Sequence, residues 1–199
     1  MSTMRWPITE LTASQSPMAM SSSSSTAHKT MQNNVRQLAR LGLMVAVLEV
    51  SKLALAAIPN IELVSFWVIL FTLWIGWRSL YAIYGFVLLE GILYGVHFWW
   101  IAYLYVWTIL ATLTQLLRKQ TAPLFWAILS GLFGLFFGAL CAIPYAAAGI
   151  LNGGLWNGFL AGFSWWIAGI PYDLLHCVGN FVVMLILYKP VMTAMKKMN

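Results

Sequence analysis

The chain has 199 residues, 61% of them hydrophobic and only 8% charged, with a formal net charge of +6. So little charge cannot cover a soluble domain. The basic residues lie in short interhelical stretches and tails and not in one patch, which argues against a nucleic-acid surface. What remains is an all-α integral membrane protein, because backbone groups cannot stay unpaired in lipid and helices are the default way to pair them.

Residues 1–35 are expected to form a disordered cytoplasmic tail. They hold the run Ser21–Ser25, several Met and no apolar segment of signal-peptide length. Met31, just before the organised sequence, is the expected start. Residues 36–189 then read as a membrane domain, since a helix needs roughly 20 residues to cross the ~30 Å hydrocarbon core. The first span is about Leu38–Ile58, stopped by Pro59-Asn60. The second is about Ile61–Ile75, and Gly76-Trp77-Arg78-Ser79 turns the chain into the third, about Leu80–Phe98. The fourth is about Trp100–Leu117, ended by Arg118-Lys119, and the fifth is about Leu124–Ile143, ended by Pro144. Tyr145–Gly158, rich in Gly, Ala and Asn, is expected as an outer loop, and Phe159–Ala168 as an interfacial helix. The last span is about Tyr172–Tyr188, with residues 190–199 a basic cytoplasmic tail. An alternative is one long, kinked final helix from Trp156. Either way the bundle has six spans, and both termini are cytoplasmic.

The direction follows from Lys and Arg. Arg5, Lys29, Arg36, Arg40, Arg78, Arg118, Lys119, Lys189, Lys196 and Lys197 all fall on one side of this layout, which the positive-inside rule makes the cytoplasmic side of a plasma membrane. Lys52 is the exception. It sits inside the first span, three residues after Glu49, and is expected to pair with it. Glu90, Tyr94 and His97 share a helical spacing on the outer part of the third span, and Glu62 follows just outside the first. Asp173, His176 and Asn180 share a face near the outer end of the last span. Intramembrane ionisable groups usually face a bundle interior or a wet cavity. The expected result is an outward-opening cavity for a polar small molecule, with Trp99, Trp100, Tyr103, Trp107, Trp165 and Trp166 available to stack on a ring. Each of these polar groups can instead serve only as packing glue between helices.

No nucleotide-binding, His-Glu-x-x-His or Gly-x-Ser-x-Gly pattern is present. No catalytic residue, metal site or cofactor is expected, and Cys141 and Cys177 read as small buried residues. Two stretches carry a resemblance. Leu53–Val64 (LALAAIPNIELV) resembles the first-loop region of substrate-binding S components of energy-coupling factor (ECF) transporters. Gly169–Asn180 (GIPYDLLHCVGN) resembles their last-helix motif. The resemblance implies a six-helix, multi-pass subunit of a prokaryotic plasma membrane that binds a vitamin or related micronutrient from outside. It also implies docking on a transmembrane T component and two cytoplasmic ATPase subunits that supply the energy. Gly42 and Ala46 stand where the family carries its docking pair of small residues, with Gly in place of the usual first Ala. The substrate-binding residues implied are Asp173, His176 and Asn180 with Trp99, Trp100 and Tyr103, ahead of Glu90 and His97. A membrane scaffold without a small-molecule substrate, or an intramembrane enzyme, are the competing classes.

Overall fold

The computed structural model describes residues 18–55 and 62–198, with side chains from Thr30 onward. Among them every regular element is helical: α1 Met18–Ala54, α2 Val64–Ile75, a 3-10 turn Gly76–Arg78, α3 Ser79–Tyr94, α4 Phe98–Leu116, α5 Pro123–Cys141 and α6 Ile143–Lys197. Residues 1–39 and 40–199 form separate units, and the second holds all that follows. The stretches Val64–Tyr94 and Pro123–Lys197 are long and apolar enough to cross a membrane. Residues 56–61, the centre of the first-loop resemblance, lie outside the described residues, as do residues 1–17 of the expected tail.

Three expectations change. The expected disordered tail is helical from Met18, and no Pro or Gly between Pro17 and Gly42 is there to stop a helix. The C-terminal tail is also helical, because α6 runs through Pro190 to Lys197 and buries Met195. The third change is Tyr145–Gly158, which forms no loop. It is helical except at Gly153 and Gly154, where the chain reverses. Gly154 has φ +82, which only glycine takes without strain. The alternative of one long final helix is therefore the observed one, with no non-helical residue from Leu155 to Lys197 despite Pro171 and Pro190.

The reversal makes α5 and the start of α6 one arm of a hairpin and the rest of α6 the other. Small residues let the arms touch. A Cβ on Gly149 would lie 2.8 Å from the backbone of Asn157 and Gly158, and one on Gly162 would lie 2.8 Å from Ala146. Lower down, Gly131 and Gly134 meet the backbone of Cys177 and His176 at 3.3 and 2.8 Å by the same measure, and Gly138 meets the Asp173 carboxylate. In lipid, apolar surface gains little by leaving one apolar neighbour for another, so close backbone approach and interhelical hydrogen bonds hold helices together. Such bonds recur through the bundle. Trp67 Nε1 donates to Ser51 Oγ (2.8 Å), Tyr84 Oη meets Thr108 Oγ1 (2.8 Å), Tyr105 Oη donates to the Leu140 carbonyl (2.6 Å), and Thr72 meets Ser79 (3.0 Å).

Trp107, Trp126, Phe66 and Phe86 are fully buried among Leu, Ile and Val, and the perimeter is apolar too, with Tyr81, Leu88, Ile92, Leu116, Leu132 and Trp156 exposed. An apolar perimeter suits a lipid surround, because the exposed faces are the ones water would reject.

Candidate functional site

The buried ionisable side chains gather at one end of the bundle. Lys52 is in the last turn of α1, Glu62 lies just before α2, and Glu90 and Tyr94 end α3. Trp99 and Tyr103 open α4, Phe137 and Cys141 close α5, and Trp165, Asp173 and His176 lie on the early part of α6's return arm. The basic residues Arg40, Arg78, Arg118 and Lys189 sit toward the opposite ends of the same helices. An open cavity of about 390 Å³ is lined by Lys52, Tyr94, Trp99, Tyr103, Phe137, Cys141 and Trp165.

Lys52 is the hub. Its ammonium pairs with Glu90, not with Glu49 as the spacing suggests. The cause is simple: the long side chain reaches across to α3 and α4, where three aromatic faces receive it. Nζ lies 5.0, 5.4 and 5.6 Å from the ring centres of Tyr94, Trp99 and Tyr103, within cation–π range. Glu90 is completely buried and Glu49 nearly so. Glu49 faces Glu90 and Lys52, and its carboxyl is within hydrogen-bond reach of the Glu90 carboxyl.

Asp173 and His176 are buried on adjoining turns of one face, as their spacing predicts. Asp173 Oδ1 accepts the Gly138 N–H at 2.9 Å, which fixes the carboxylate against α5. Its Oδ2 has no partner. His176 packs edge-on against Phe137 at 4.9 Å, and its Nε2 stands 3.6 Å from Glu62 Oε1, too far for a hydrogen bond. Both of those atoms are otherwise unpartnered. Glu49, Glu62 and Glu90 lie within electrostatic reach of Tyr103, and Asp173 and Glu62 within reach of Cys141. Every acidic residue of the chain except Glu10 is therefore gathered here.

Three expected site residues lie elsewhere. His97 is exposed at the start of α4. Gly95, with φ +86, ends α3 and takes His97 off the face of Glu90 and Tyr94. Trp100 points at α3, where its Nε1 donates to the Val87 carbonyl at 2.7 Å and its ring lies over Gly91. Asn180 is buried one turn below His176 and holds α5, with Nδ2 donating to the Ser130 carbonyl at 3.4 Å. Conversely, Phe137 and Cys141 line the cavity, although nothing in their sequence neighbourhood distinguishes them from packing residues. Both cysteines are free, and no group of three metal-ligating side chains occurs among the described residues.

Gly42 and Ala46 are exposed on α1, and a Cβ on Gly42 would meet nothing within 4 Å. Nearby, Arg40, Met44, Trp67, Trp74, Val191 and Met195 border an apolar groove of about 490 Å³ between α1, α2 and the end of α6. The Arg40 guanidinium lies 5.8 Å from the Trp74 ring and donates to the Met198 carbonyl at 3.4 Å. No protein-family model, no curated protein and no solved structure matches this chain.

Proposed function

We propose that this chain is the substrate-binding S component of an ECF-type transporter, a six-span protein of a prokaryotic plasma membrane with its basic ends in the cytoplasm. It binds a vitamin or related micronutrient from outside, and a T component with two ATPase subunits drives uptake. One observation carries the reading: Lys52, paired with the buried Glu90, opens onto an aromatic-walled cavity at the end of the bundle that also holds Glu49, Glu62, Asp173 and His176, remote from the basic residues. Under the positive-inside rule that end faces outward. Buried polar groups without partners are costly, and a ligand in the cavity would supply partners.

The experiment is mass spectrometry of compounds retained by the gently purified protein. A stoichiometric small molecule is expected, and repeated recovery of none would remove the transport reading. A mutational arm accompanies it. Asp173→Ala and His176→Ala should each weaken binding of the retained compound by roughly tenfold to a hundredfold, the range set by hydrogen bonds to charged groups. Melting of the ligand-free protein should change little for His176→Ala. Unchanged affinity in both variants would take the pair out of the site.

A further inference from the structure

The chamber is lopsided in two ways. Glu49, Glu62 and Glu90 share one cation among the described residues, Lys52, which Glu90 already engages, and Asp173 adds a fourth carboxyl near Cys141. Acceptor atoms also go unmatched: Glu62 Oε1, Asp173 Oδ2 and His176 Nε2 lack hydrogen-bond partners among the described residues. The carboxyl oxygens are acceptors when ionised, and a neutral imidazole takes a donor at whichever nitrogen is bare. Glu90, Asp173, His176 and Glu49 are each more than nine-tenths buried, so bulk water does not serve them.

Beside these atoms stands a ready-made receptor for positive charge. Tyr94, Trp99 and Tyr103 surround the Lys52 ammonium, an arrangement that recognises organic cations when it is open to a ligand. Lys52 is its present occupant, about a quarter exposed and carried on a flexible stem at the edge of the cavity.

We propose that the chamber binds an organic cation bearing N–H donors, which replaces the Lys52 ammonium among Tyr94, Trp99 and Tyr103 and beside Glu90. Lys52 is then a tethered stand-in that neutralises Glu90 while the site is empty and swings toward the cavity mouth when it fills. A cationic ligand supplies the missing charge and the missing donors together, whereas an anion supplies neither and meets a lysine already paired. The proposal rests on the chain's being a small-molecule-binding subunit and narrows what it takes.

The test uses the full chain in detergent and three probes of one shape at equal concentration: benzamidinium, benzamide and benzoate. Benzamidinium should raise the melting temperature and quench tryptophan fluorescence, since Trp99 and Trp165 line the cavity, while benzamide and benzoate should do neither. Lys52→Met should tighten benzamidinium about tenfold by removing the competitor, and Glu90→Gln should weaken it about tenfold, both within the range of one desolvated cation–π or charge contact. Protection by benzoate or benzamide equal to that by benzamidinium, or by none of the three, overturns the proposal. So does weaker benzamidinium binding in Lys52→Met. The wild-type comparison stands even where Glu90→Gln fails to fold. An anionic compound retained on purification would leave the S-component reading intact and sink this one. Benzamidinium protection with no retained compound would do the reverse.

Discussion

Gly134→Leu is expected to leave no monodisperse folded protein after detergent extraction. The reason is where its side chain would have to go. A Cβ on Gly134 would already lie 2.8 Å from the His176 carbonyl oxygen and 2.9 Å from its carbon, both backbone atoms of α6. A flexible neighbour could yield, but a helix backbone moves only as a unit. Here it would carry away Asp173 and Asn180, which bond to α5 on either side. Overpacking a tight contact costs about 1–3 kcal/mol when neighbours can adjust, and Gly134→Ala should fall in that range. Leucine adds three more carbons to the same space and should exceed it. Gly169→Leu is the matched control on the opposite arm, because a Cβ there meets nothing within 4 Å, and it should extract and melt like the parent. Size-exclusion profiles and melting curves of the three variants decide the matter. A Gly134→Leu protein as stable as Gly169→Leu would mean that the arms of the hairpin do not approach as closely as described.

Under the proposed S-component function, Ala46→Leu and Gly42→Leu should abolish co-purification with a T component while the isolated chain still folds and binds the compound retained by the parent. Both positions are exposed, and Gly42 faces open space. A leucine therefore disturbs nothing within the chain, and at Gly42 it should improve α1 by a few tenths to about 1 kcal/mol of helix propensity. What it destroys is the flat strip that two small residues four apart offer to an approaching helix. Exposed Leu43 and Val50 flank that strip and would give the partner apolar rims to pack against. Size should be the deciding variable, so Gly42→Ala should assemble normally. Normal co-purification of both leucine variants would remove this face from the docking surface.

The parts of the fold that are legible in the sequence are those where polarity changes along the chain. Arg78, Arg118-Lys119 and Gly76 mark turns, and α2 to α5 begin and end within a few residues of the expected spans. The hairpin tip is hard to read because its Gly and Asn residues disfavour a helix in isolation and mask the helix-forming Ala residues beside them. In this molecule the small residues Ala146, Gly149, Gly158 and Gly162 are what bring two helices together. Pro171 resembles a stop for the same reason, although neighbours can hold a helix through a proline at membrane depth. In the site, Asp173 and His176 are legible because one helix spaces them. The Lys52–Glu90 pair is not, because it depends on α1 meeting α3, and short-range spacing favours Glu49. The expectation for His97 fails at a single residue, since Gly95 turns the chain between it and Glu90.

The unbroken course of α6 also has a mechanical consequence. From His176 to Met195 the chain is helical throughout, about 28 Å at 1.5 Å per residue. One end of that rod packs His176 against Phe137 of the chamber wall, and the other borders the groove where Arg40 holds the Met198 carbonyl. A stiff lever of this kind converts a change of tilt at the chamber into sideways travel at the far end, without any relay of side chains between them. A displacement of the rod by a bound molecule would thus be felt first at the Arg40 contact.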